Sequence, residues 1–220
     1  MKRVMIGCCL LGMFSLAQSK EFQIPTDLAL EGIAEPIYQV VMSNEAVGLK
    51  DTRIFNEAGY LTAVLQEFVY MPTQSYAIYA PYEGSERALQ FYVSDEHDFK
   101  QLQRSQLKSL EIESIPGKQE WFDAYNTQTS YGGQVMMKIE YGANFMPMKM
   151  ESPDMDLNFI YLEDHSDPAA SEMEKEKIYI SVLKRDAKGN WLERATIMLH
   201  PLDRSERIKT IEKREITYRD

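Results

Sequence analysis

The stretch VLKRDAKGNWLERATIML, residues 182–199, decides how the chain is read. Two runs of apolar and β-branched residues flank a short loop, Asp186–Asn190, whose Gly189 and Asn190 tolerate positive φ. Upstream, Ile178, Ile180 and Val182 recur with period two and so share one face of an extended segment. The stretch therefore predicts a β-hairpin.

The same grammar extends outward. LTAVLQEFVYM, SYAIYA, LQFYV, LEIES, QVMMKIEY and LNFIYL are short, rich in Val, Ile, Tyr and Phe, and several alternate apolar with polar residues. Helix is the minority expectation. One is predicted near 98–108, where Phe99 and Leu102 lie one turn apart. A second is predicted near 167–177, where Asp167 would cap and Pro168 would fill the first turn.

Displacing the chain by 68 residues lays EGSERALQFYVSDEH (83–97) over ESPDMDLNFIYLEDH (151–165). Glu83, Leu89, Phe91 and His97 then meet Glu151, Leu157, Phe159 and His165. At a slightly larger offset GKQEWFD parallels AKGNWLE, so that Trp121 answers Trp191. Self-similarity of this kind marks repeated supersecondary units. The expectation is a mainly β, α+β fold of antiparallel sheets, sandwich-like, with two related modules over 40–125 and 126–205. A lead segment (20–39) precedes them and a charged strand or tail (206–220) follows.

Residues 1–19 read as a secretory leader. Lys2 and Arg3 precede an apolar run, and Ser15, Ala17 and Ser19 offer small residues for cleavage. Both cysteines, Cys8 and Cys9, fall inside that leader, so the processed chain would hold no disulfide and no thiolate nucleophile. Export without disulfides points to a bacterial periplasm or cell surface. The formal charge of −10 becomes more negative by two once Lys2 and Arg3 are removed. An acidic chain repels phosphate backbones, which argues against nucleic acid as a partner.

Two constellations could carry metal chemistry. SDEHDF (94–99) gathers Asp95, Glu96, His97 and Asp98, and its counterpart gathers Glu163, Asp164, His165 and Asp167. Carboxylates at the start of a helix serve as caps, and the same oxygens could serve Ca²⁺ if other groups completed the shell. FMPMKMESPDM places Met146, Met148 and Met150 at alternate positions with Met155 nearby, and aligned thioethers would suit Cu(I). The bland reading of the methionines is core filling. Trp121 and Trp191 read as core plugs, and the many tyrosines as core residues or binding platforms.

No nucleophile elbow, zinc-protease helix or phosphate-binding glycine loop is present. The sequence thus predicts a non-enzymatic, exported accessory protein that docks an envelope protein or a glycan through a sheet surface. The alternatives are an extracytoplasmic metal binder, holding Cu(I) or Ca²⁺, and a secreted hydrolase using paired carboxylates.

Overall fold

The computed structural model describes residues 22–95, 99, 114–200, 203 and 206–219. A four-residue helix, α1 (Asp27–Leu30), leads into thirteen strands. These are β1 (Ile37–Asn44), β2 (Leu49–Phe55), β3 (Leu61–Phe68), β4 (Gln74–Tyr79), β5 (Glu86–Ser94), β6 (Ser114–Trp121) and β7 (Asn126–Tyr131). The rest are β8 (Gln134–Tyr141), β9 (Pro147–Ser152), β10 (Met155–Tyr161), β11 (Lys177–Arg185), β12 (Trp191–Leu199) and β13 (Arg207–Tyr218).

The strands form one closed barrel and not the sandwich of open sheets that the sequence suggests. Closure falls to β13, which pairs with β12 on one side and β1 on the other, so that no edge strand remains. Hairpin-rich alternation is common to sandwiches and barrels, which is why the pattern alone misdirects. Strands from both presumed modules, and from the C-terminal segment, run round this single sheet. The two similar windows become β5 and β10 in different settings. β5 is antiparallel to both neighbours, whereas β10 is parallel to β11.

The predicted 182–199 hairpin is β11 and β12, closed by Asp186 N–H donating to the Asn190 carbonyl, with Gly189 at φ +88°. The helix expected over 167–177 is not formed. That stretch holds only a 3₁₀ turn, Ala170–Glu172, in a connection that must carry the chain back along the barrel between two parallel strands. Asp167 spends its carboxylate on Arg207 and Lys209 of β13 instead of capping. The region of the other expected helix, 98–108, lies outside the described residues except for Phe99.

The crossover between β10 and β11 lies on the outer wall. Met173 packs there with Tyr179, Ala195 and Ile197, while Ile178 and Ile180 face inward to Leu157. A second outer pad, Leu65, Ile78 and Tyr92, receives Phe99. Both tryptophans are buried, as core plugs should be.

Antiparallel pairing sorts the turns. Those joining β1–β2, β3–β4, β7–β8 and β9–β10 lie at one end, here the mouth. Those joining β2–β3, β4–β5, β6–β7 and β8–β9 lie at the other, the base. The chain before β1 folds into the base. Thr26 caps α1, the Leu28 N–H donates to the Gly59 carbonyl in the β2–β3 turn, and Leu28 and Ile33 pack with Ile37, Val40 and Phe55.

Candidate ligand cavity

Period-two alternation sends every second side chain of a barrel strand inward. In β2 these are Asp51, Arg53 and Phe55; in β3, Val64 and Gln66; in β7, Thr129 and Tyr131; in β8, Met137, Ile139 and Tyr141. With Tyr79, Arg87 and α1 they enclose a cavity of about 510 Å³. That is within the size range of sites that hold small organic ligands.

Its floor is charged and internally satisfied. Arg87 forms a two-pronged pair with Asp27 of α1, both contacts 2.8 Å, and its Nε donates to Gln119 at 2.7 Å. The guanidinium lies between the rings of Tyr79 and Tyr82, 4.5 Å from each centroid. Asp27 also accepts the Leu61 N–H at 2.7 Å. Arg53 donates to Glu31 and to Asp51. Burial works against its charge, but the two carboxylates outweigh that and hold its guanidinium protonated.

A third arginine, Arg214 of β13, also reaches α1. It donates to the Glu31 carbonyl at 3.0 Å and to the Trp191 carbonyl at 2.7 Å, and stacks 4.0 Å from the Trp191 ring. It is 3% exposed, and its Nη2 has no partner among the described residues. Desolvation pulls its pKa down to about 10. Three arginines from β2, β5 and β13 thus hold the plug by its carboxylates and a carbonyl.

Above the floor the wall turns aromatic and apolar. Tyr131 stands against Phe91 at 5.3 Å between ring centroids, whereas Tyr141, at the base end of β8, is stacked on Trp121 at 5.5 Å beside the floor. Trp121 in turn donates to the Tyr82 hydroxyl at 3.0 Å. Gly117 makes room here, since a Cβ would lie 2.7 Å from Leu89 Cδ1, the Ser130 carbonyl and the Tyr131 ring. Burial pushes the phenols of Tyr79, Tyr131 and Tyr141 above their ordinary pKa, so all are neutral donors at physiological pH. Among the described residues nothing pairs with the hydroxyls of Tyr79 and Tyr131.

Toward the mouth the described inward side chains become exposed. Val93 continues the inward row of Leu89 and Phe91, and Ile115 pairs with Phe91, yet they are 45% and 42% exposed. A β-bulge opposite Ser130 turns Met136 to the rim while Met137 remains inside.

The residues singled out from the sequence lie elsewhere. Asp95 is exposed just beyond β5; Glu96, His97 and Asp98 lie outside the described residues. In the second turn, Asp164 is paired with Arg185 and Asp167 with Arg207 and Lys209. Glu163 accepts the Ser181 hydroxyl on its carbonyl, and His165 takes a positive φ of 64° with its N–H on Val182. The carboxylates of Asp164 and Asp167 are thus engaged by cationic side chains. Among the described residues no group of three or more His, Cys, Asp or Glu is placed to hold a metal ion.

Of the methionines, Met150 packs inward with Leu157, and Met148 is exposed beside Gly142. Met146 precedes β9, and Met155 stands opposite Ser152 at the far end of that strand. A six-residue strand of roughly 17–20 Å therefore separates Met146 from Met155.

The sequence reading passed over Asp27, Asp51, Arg53 and Arg87. The signal that could have found them is charge at strand periodicity, as in LKDTRIF, where Asp51 and Arg53 alternate with Phe55. No family model, curated protein or solved structure matches the chain.

Proposed function

We propose that this is an exported, non-enzymatic binding protein that carries a neutral amphipathic small molecule inside its barrel. The observation that carries the reading is the 510 Å³ cavity, with a self-neutralised floor, an aromatic wall and two tyrosine hydroxyls without a partner among the described residues. A charged ligand would find the cavity's guanidiniums and carboxylates already committed to one another. A neutral ligand can bury its apolar body against Tyr131, Ile139 and Met137 and hydrogen-bond to Tyr79 and Tyr131. The paired floor also favours binding over hydrolysis, because Asp27, Glu31 and Asp51 each face an arginine and are not poised as an acid–base couple.

The interior suits this role better than the outer sheet surface. Outward positions on β5, β6 and β9 carry charge pairs, Lys118 with Glu86 and Glu120, and Lys149 with Glu151. A lipid-embedded barrel carries an apolar band at such positions. The leader-like N-terminus supports export.

N-phenyl-1-naphthylamine, a neutral apolar fluorophore, tests the reading. It should bind saturably at one site and quench Trp121, which is stacked on the cavity residue Tyr141. Ile139→Trp, which fills the cavity, should abolish binding. Non-saturable uptake, or binding unaffected by Ile139→Trp, would overturn the interior site.

A further inference from the structure

The cavity wall has a hydrogen-bonding polarity of its own. Gln119 and Thr129 face each other across the β6–β7 ladder, and both line the cavity. Directly opposed side chains on one face of a sheet lie about 4.5–5.5 Å apart at Cβ. Tyr131 is the next inward residue along β7 and stands opposite Gly117, which offers it no side-chain partner. The bonds behind this patch run in one direction. Trp121 Nε1–H donates to the Tyr82 hydroxyl at 3.0 Å, and that hydroxyl donates to Gln119 Oε1 at 3.2 Å. Arg87 Nε donates to the same oxygen at 2.7 Å. An arginine N–H can only donate, so the amide of Gln119 must turn its oxygen to Arg87 and keep its Nε2 free. Among the described residues nothing pairs with that Nε2, or with the hydroxyls of Thr129 and Tyr131. The cavity's acceptors, by contrast, are taken. Asp27 accepts from Arg87 and the Leu61 N–H, Glu31 and Asp51 from Arg53, and Gln66 Oε1 from the Ser75 hydroxyl at 3.0 Å.

We propose that Gln119, Thr129 and Tyr131 select ligands whose polar group is a pure hydrogen-bond acceptor, a ketone or ester carbonyl, over ligands of the same shape that end in N–H. This selectivity rests on the interior-binding reading, whose ligand chemistry it narrows. A carbonyl oxygen carries two lone pairs and can take two of the three donors at once. An amine set there would point N–H against N–H and leave the Gln119 donor unpaired in a desolvated site, which is the expensive outcome. A carboxylate meets a different obstacle. Arg53 and Arg87 have given their N–H groups to the floor, so no committed cation turns to neutralise it. The apolar remainder of the ligand lies against Met137 and Ile139, which line the same cavity.

The test is displacement of N-phenyl-1-naphthylamine from the native chain by three compounds of similar size. Hexanophenone offers an acceptor, 4-hexylaniline an uncharged donor at neutral pH, and hexylbenzene neither. Hexanophenone should compete roughly tenfold more strongly than 4-hexylaniline, as one or two net hydrogen bonds dictate. In Thr129→Val/Tyr131→Phe, which removes two hydroxyls and little volume, that advantage should shrink to roughly threefold or less. Hexylbenzene, which makes no hydrogen bond, should still compete there, showing that the cavity is intact. Equal competition by ketone and aniline, a preference for the aniline, or an undiminished advantage in the double variant would overturn the proposal while leaving the cavity reading in place. Failure of both the fluorophore and hexylbenzene to bind the native chain would instead remove the cavity reading, and the selectivity with it.

Discussion

Removing Asp27 should destabilise the barrel strongly, and removing Arg87 along with it should cost less than the two changes made separately. In Asp27→Ala the Arg87 guanidinium, whose side chain is 1% exposed, stays buried. It keeps the Gln119 contact at 2.7 Å and the flanking tyrosine rings, but loses both 2.8 Å bonds to carboxylate. The Leu61 N–H loses its acceptor as well. Leaving a buried charge unpaired costs about 3–5 kcal/mol. For a domain of this size each kcal/mol moves the melting temperature by about 2–4 °C, so the drop should be roughly 6–20 °C. In Asp27→Ala/Arg87→Met no unpaired charge remains, and the double variant should recover about 2 kcal/mol relative to the sum of the single changes. Urea unfolding of the four proteins, with one shared slope, measures the cycle. Additivity to within about 0.5 kcal/mol would refute the reasoning, since the pair would then not act as a unit.

Gly117→Ala should cost about 1–3 kcal/mol, because its Cβ meets the Ser130 backbone oxygen at 2.7 Å and cannot be relieved by a rotamer change; urea midpoints check it. The outer crossover should loosen in acid. Arg185 holds the Asp164 carboxyl, and Arg207 with Lys209 the Asp167 carboxyl, below the usual range. Their contribution is therefore present above about pH 4 and lost as pH falls through the depressed folded values, so peptic cleavage within 162–176 should rise there before global unfolding. At high pH the sign reverses. Burial raises Tyr82 and Tyr161 to about 12, so the folded state retains protons that the unfolded chain releases near pH 10. Stability should fall between those values, and absorbance at 295 nm should show these phenols ionising only as the barrel opens.

Several of the strands legible in the sequence have apolar inward faces, although IYQVVMSN of β1, with Val40 in the core, was not read as a strand. QVMMKIEY and WLERATIML coincide with β8 and β12, and SYAIYA and IYISVL fall on β4 and β11. Two of the strands passed over, LKDTRIF and NTQTSY, send Asp51, Arg53, Thr127 and Thr129 toward the lumen. Alternation there keeps its period but loses its usual polarity, because inside and outside are both polar. Closure was illegible for another reason. The β1–β13 ladder joins Val40 to Ile216, and no local pattern announces a contact at that separation.

The same inversion explains why the candidate site was missed. A charge in a strand is ordinarily read as solvent-facing, and Asp51, Arg53 and Arg87 carry no motif. Their meaning comes from α1, which lies upstream in an ambiguous lead segment and supplies Asp27 and Glu31 as counter-charges. Burying such a network is neutral at best for stability, and an apolar floor of the same volume would serve the barrel as well. What an apolar floor would not do is fix α1 in one orientation across the base. Three arginines on separate strands do that, by direction as well as by energy. The charged floor is therefore best understood as the device that fixes α1 across the base of the barrel.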